Sequence, residues 1–154
     1  MAWQNPKTNW EVKPLVGGIY QGDWFNFSDY NRIAGNLYHL HTLGQNVLGI
    51  VFSISSMPTA VLNAFPRASD INLLEDNLYA ITQNVYSPPA YTGKKTWLGN
   101  AATPTFADLN RIESACDAIF AHLYSLIEEQ VFAPSGADEL LTSAGETFLV
   151  IEEV

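Results

Sequence analysis

Three aspartates in this chain recur in one setting: Asp29-Tyr30-Asn31, Asp70-Ile71-Asn72 and Asp108-Leu109-Asn110. Carboxylates repeated at equivalent places could serve as general acids and bases, or as oxygen ligands to a divalent cation. Their surroundings point to a different chemistry. Each opens a run of apolar residues with helical spacing, and a carboxylate in a first helical turn meets amides that have no helical partner, an effect of about 0.3–1 kcal/mol. Thr105 stands three residues before Asp108, the arrangement of a capping box. Capping accounts for Asp29, Asp70, Asp108 and Thr105 with no substrate, so no catalytic residue is assigned.

The other reactive side chains are scattered. His39 and His41 are two apart on a predicted helix and point in different directions. His122 has no carboxylate or thiol at ligand spacing, so no metal or cofactor site is expected. No phosphate-binding glycine loop, GxSxG, HExxH or CxxC occurs. Cys116, the single cysteine, excludes an internal disulfide and falls on an apolar helix face as a buried thiol. Arg32 and Arg111 occupy the same place in two of the three segments, with Arg111 expected to pair with Glu113 or with an acid of a neighbour.

Tryptophans in a small protein more often fill its core, and Trp10 and Trp24 are expected to pack over the first helix. An N-terminal arm that engages a neighbouring subunit is the sharper reading. Trp3, Trp10, Trp24, Trp97, Arg32 and Arg111 are accordingly the candidate interface residues. A sugar-stacking platform of Trp10, Tyr20, Trp24 and Trp97 is the alternative.

The elements that must carry these groups are helices. Leu109, Ile112, Cys116, Ile119, Leu123 and Leu126 are spaced 3, 4, 3, 4, 3, which places all six on one side of an α-helix. The other two segments align with it without a gap, Tyr30, Ile71 and Leu109 corresponding, then Ile33, Leu74 and Ile112. The aspartates lie 41 and 38 residues apart, a spacing characteristic of internal repeats. Asn31, Asn72 and Asn110 complete the repeated motif. The first helix is predicted from about Asp29 to Leu43 with Gly44 as C-cap, the second from Ser69 as N-cap to Asn84, the third from Thr105 to about Gln130.

Between them, Val47 to Phe52 reads equally as a buried strand or a helical continuation, and Thr59 to Phe65 as a short helix or turn. Tyr91 to Thr103 is a loop. Leu15-Val16 and Ile19-Tyr20 flank Gly17-Gly18 as a short hairpin or extended arm. Pro134-Ser135-Gly136 makes a turn, Leu140 to Thr142 and Thr147 to Ile151 form a second hairpin, and Glu152-Glu153 is a solvated end. The expected fold is α-rich, of α+β class: an arm over residues 1–26, a three-repeat helical core over 27–133 and a C-terminal hairpin over 134–154.

Seven basic against sixteen acidic residues give a net charge of −9. Nucleic-acid affinity depends on neutralising phosphates, so this balance argues against a DNA or RNA partner, and equally against an anionic membrane surface. No cleaved signal is read at the N-terminus and no apolar run is long enough to span a bilayer. Charged residues make up only 15% of the chain, below the usual quarter, as in a surface that partly meets protein.

Lys95-Thr96-Trp97, then Pro104, then Asp108-Leu109-Asn110-Arg111-Ile112-Glu113 resembles a pattern of tail and baseplate proteins of bacteriophages infecting Gram-positive hosts. The first copy offers Lys7-Thr8-Asn9-Trp10 and Asp29-Tyr30-Asn31-Arg32-Ile33-Ala34, departing where Ala34 replaces Glu; the middle copy lacks the Arg and keeps only Leu74-Glu75. The matching pieces cover about a third of the chain and carry no catalytic content. The resemblance implies a virion structural protein of a tail, baseplate or fibre-attachment region, made in the host cytoplasm, multi-copy or homo-oligomeric, with other tail proteins as partners. Tailocins and contractile injection systems carry similar parts. A receptor- or glycan-binding module at the tail tip, touching a host surface glycan, is the second expectation.

Overall fold

The structure, a computed structural model, describes residues 2–62, 66–132, 140–144 and 147–151. It is an α-rich α+β fold. Its elements are β1 (Leu15–Val16), β2 (Ile19–Tyr20), α1 (Phe27–Leu48), α2 (Ala68–Asn84), α3 (Phe106–Phe132), β3 (Leu140–Ala144) and β4 (Thr147–Ile151). The strands form two separate antiparallel hairpins. Gly17 and Gly18 close the first with φ of 59° and 78°, the left-handed pair that a two-residue hairpin turn requires. In the second, Leu140 pairs with Ile151 and Ala144 with Thr147. The predicted turn at 134–136 and the acidic end at 152–153 lie outside the described residues.

The three helices share one core. Leu37 and Leu40 from α1, Leu74, Leu78 and Ile81 from α2, and Ile112, Ile119 and Leu123 from α3 are wholly buried. All but Leu123 stand at corresponding places in the gapless alignment of the three segments, and each such side chain contributes about 1.5–3 kcal/mol by leaving water. Cys116 lies among them.

All three helix-start aspartates receive the amide three residues back. In α1 and α3 the side chain of the cap returns the bond to complete a capping box, whereas in α2 the cap is an arginine, which has no acceptor to return it. The Asp29 carboxylate accepts from Asn26 N (3.1 Å), Asp70 from Arg67 N (2.8 Å) and Asp108 from Thr105 N (2.9 Å). The N-cap of α2 is thus Arg67, not Ser69, because the carboxylate three residues on fixes the cap by receiving its amide. In α1 the cap is Asn26, whose side chain accepts from Ser28 N and Asp29 N.

Helix α1 runs past its predicted end. Gly44 lies inside it, where a Cβ would meet Val85 Cγ2 at 2.7 Å, so that glycine serves the contact with the chain after α2. Gly49 (φ 64°) is the actual C-cap. Val47 and Leu48 therefore continue the helix, and residues 50–61 are an extended strap without the alternative strand; the short helix or turn read from Thr59 to Phe65 falls partly outside the described residues, at 63–65.

That strap descends α1. Gln45 Nε2 donates to Phe52 O, Met57 N to Tyr38 Oη, and Asn31 pairs with Ala60. The chain is thereby returned to the start of α1 before α2 begins. Residues 85–105 descend in the same way from Tyr86, stacked on the His122 ring, to Trp97 beside Asn72. The arm descends the third groove from Trp3, stacked on Phe120, to Trp10 beside Asn110. The helices consequently run parallel. Their starts surround a mostly apolar cavity of about 380 Å³ lined by Phe25, Pro66, Ile71, Pro104, Phe106 and Leu109.

Candidate functional site

Each repeated asparagine clamps the backbone of one strap residue from both sides. Asn31 Oδ1 accepts from Ala60 N and its Nδ2 donates to Ala60 O, both at 2.8 Å. Asn72 does the same to Trp97 (2.7 and 2.9 Å), and Asn110 to Trp10 (2.7 and 2.9 Å). A carboxamide carries one acceptor and donors on one plane, which matches the N–H and C=O of a single extended residue. Aspartate could not donate and serine could not span both. Asn36 and Asn77, each seven residues after a helix-start aspartate, repeat the device on Gln4 and Ser55. The α3 position equivalent to them is Ala115.

A buried carboxylate adjoins two of the clamps. Glu113, 1% exposed, accepts from Trp10 Nε1 (2.8 Å), Lys7 N (2.7 Å) and Arg32 through Nη2 (2.8 Å) and Nε (3.2 Å). Arg32 also donates to Asp29 (2.7 Å). Glu75, fully buried, accepts from Trp97 Nε1, Lys95 N and Arg111 Nη2, while Arg111 Nη1 donates to Gly93 O (2.8 Å). Arg111 thus pairs with Glu75 instead of Glu113 or a neighbour, because its helix face looks toward α2. In the groove between α1 and α2 the corresponding residues are Ala34, Leu73 and Ala60, so acid, base and indole are missing together.

The electrostatics follow from this packing. Burial alone would lower the Arg32 pKa, and the Glu113 and Asp29 carboxylates more than reverse it, raising it above the usual guanidinium value. Burial likewise works against the Asp108 carboxylate, but the Lys95 ammonium with the Thr105 hydroxyl and amide holds it below the ordinary range. Burial pushes Tyr30 and Tyr91 up to about 12 and raises the Cys116 thiol as well. Both glutamates already receive an indole, an amide and a guanidinium. All of these donors come from the straps and helices of the same chain, and the arrangement fastens strap to helix.

The candidate interface residues divide. Trp10 is 4% exposed, lying between Phe106 and Phe25 against the α3 clamp, and Arg32 and Arg111 point inward. Trp3 stacks on Phe120 at 4.0 Å, and Trp97 is half-buried on α2. Trp24 does not cover the first helix: it is 70% exposed and meets the Tyr20 ring edge-on at 5.0 Å. With Trp10 buried, Trp10, Tyr20, Trp24 and Trp97 form no common platform, and only Tyr20 and Trp24 meet.

Sequence reasoning passed over Asn36 and Asn77, and met Glu113 only as a partner for Arg111 and Glu75 only as part of the repeated motif. The signal was there: asparagine is a poor helix-interior residue, yet it recurs at one helical position in two repeats. Likewise a buried indole N–H needs an acceptor.

Among the described residues no three His, Cys, Asp or Glu gather as metal ligands, and no helix is long and apolar enough to cross a membrane. No known protein family, curated protein or solved structure matches this chain.

Proposed function

We propose that this chain is a non-enzymatic structural protein of a bacteriophage particle, assembling in several copies into a tail, baseplate or fibre-attachment region. The observation that carries the reading is the burial of Glu75 and Glu113 with each held by an indole, a strap amide and an arginine. The Lys and Trp of the first motif and the Asp, Asn, Arg and Glu of the second, which carry the resemblance to tail proteins, belong to these same fastenings. Their role is to hold a rigid shape. Apolar side chains at 62–75% exposure on the first hairpin (Val12, Leu15, Val16, Ile19) leave a surface for neighbours. Imaging of particles carrying a labelled copy tests the assignment: label at a fixed tail position supports it, and particles without label refute it.

The exposed Trp24 beside Tyr20 favours one second reading, a glycan-binding module at the tail tip. Trp24 fluorescence should then change with host cell-wall polysaccharide at millimolar sugar, and a flat titration removes that reading.

A further inference from the structure

The three straps differ in connectivity. Residues 50–66 have α1 before them and α2 after; residues 85–105 have α2 and α3. The arm leads only into α1, yet it is anchored as much to α3. Trp3 stacks on Phe120, and Lys7 N and Trp10 bond to Glu113 and Asn110, while Gln4 is clamped by Asn36 of α1. The α3–α1 groove is thus closed by a segment that no chain connection from α3 holds in place.

Residues 11–26 join that segment to α1 through the β1–β2 hairpin. Asp23 ties the hairpin's base, accepting from Lys7 Nζ and Glu11 N (2.9 Å), and its own N–H donates to Glu11 O (3.2 Å). Val12, Leu15, Val16 and Ile19 stay in water.

We propose that the arm of one copy docks in the α3–α1 groove of a second copy, the hairpin opening at Gly17-Gly18, so that copies associate by exchanging arms. This rests on the assembly reading above. Every fastener carries over: Asn110 to the Trp10 backbone, Asn36 to Gln4, and Glu113 to the indole and to Lys7 N are the same contacts made between copies. The Leu15–Tyr20 and Val16–Ile19 pairs re-form between crossing linkers, and Asp23 of one copy receives Lys7 and Glu11 of the other. What is lost is one tight turn of two positive-φ glycines. What is gained is mutual cover for apolar side chains that a single copy leaves in water, which argues for a second copy as the occupant. Reach is ample: sixteen extended residues span roughly 50 Å, against about 40 Å for the 27-residue α3. Exchange of an identical element is a low-cost route to association.

The test co-expresses two full-length versions, one with a benzophenone amino acid replacing Trp3, the other tagged and free of the probe. The expected result is photo-cross-linking to the Phe120 segment of the tagged copy. Deleting Gly17 and Gly18, which prevents the closed hairpin, should raise that cross-linked fraction several-fold. If the versions co-purify but every cross-link stays within the probe-bearing chain, exchange is wrong and the assembly reading stands on another surface. Monomers at all concentrations overturn both.

Discussion

Asn110 grips Trp10 by both backbone atoms, accepting from its N–H at 2.7 Å and donating to its C=O at 2.9 Å, across a separation of one hundred residues. The same grip recurs at Asn31–Ala60 and Asn72–Trp97, so one side-chain type fastens all three straps. Replacing any of these asparagines by alanine leaves a backbone donor and acceptor of the strap without partners. Asn72→Ala and Asn110→Ala should each lower stability by about 1–3 kcal/mol in urea titration. Equal stability to the parent chain would mean that water replaces the clamp without loss.

The Arg32–Glu113 pair invites a double-mutant cycle. Arg32→Leu alone strands a carboxylate that is 1% exposed, and should cost about 3–5 kcal/mol. Glu113→Ala in that background should restore part of the loss, because the α1–α2 groove already works with Ala34 and Leu73 at these places. A purely additive cycle would contradict the coupling.

Gly44→Ala sets helix propensity against packing. Alanine is worth about 1 kcal/mol over glycine within a helix, but its Cβ would lie 2.7 Å from Val85 Cγ2. Overpacking costs about 1–3 kcal/mol, so a net loss is expected. Adding Val85→Ala should convert the change toward neutral. A single variant that melts above the parent would show that Val85 moves aside freely.

Acid should loosen the third helix start. The folded pKa of Asp108 lies below its ordinary 3.8, so its contribution is present above that value and is lost as pH falls through the folded pKa. Stability measured from pH 6 to pH 2 should therefore decline below about pH 4, the window set by that direction. Asp108→Asn should flatten part of this decline. An unchanged acid limb would place the sensitive carboxylates elsewhere.

The helices and their capping aspartates were readable because burial repeats at helical spacing and capping is local in sequence. The apolar seams became the core except at Leu126, which is only partly buried, and Asp29, Asp70 and Asp108 each met the amide three residues back. What no local pattern carries is contact across the repeats. Nothing near Glu113 in sequence announces Trp10, and nothing near Arg111 announces Glu75. The overrun of α1 through Gly44 had the same origin, since that glycine answers to Val85 and not to a helix end. Trp24, expected over the first helix, faces water because the hairpin that precedes it turns outward.

On the proposed reading, three helix-and-strap units build a rigid body that presents the first hairpin as its surface for association. Light scattering of the purified chain across a concentration series, beside Val16→Glu/Ile19→Glu, tests it most directly. Concentration-dependent association that the double variant abolishes, with its melting temperature unchanged, is the predicted result. A parent chain that stays monomeric throughout, or a variant that associates as well as the parent, would contradict it.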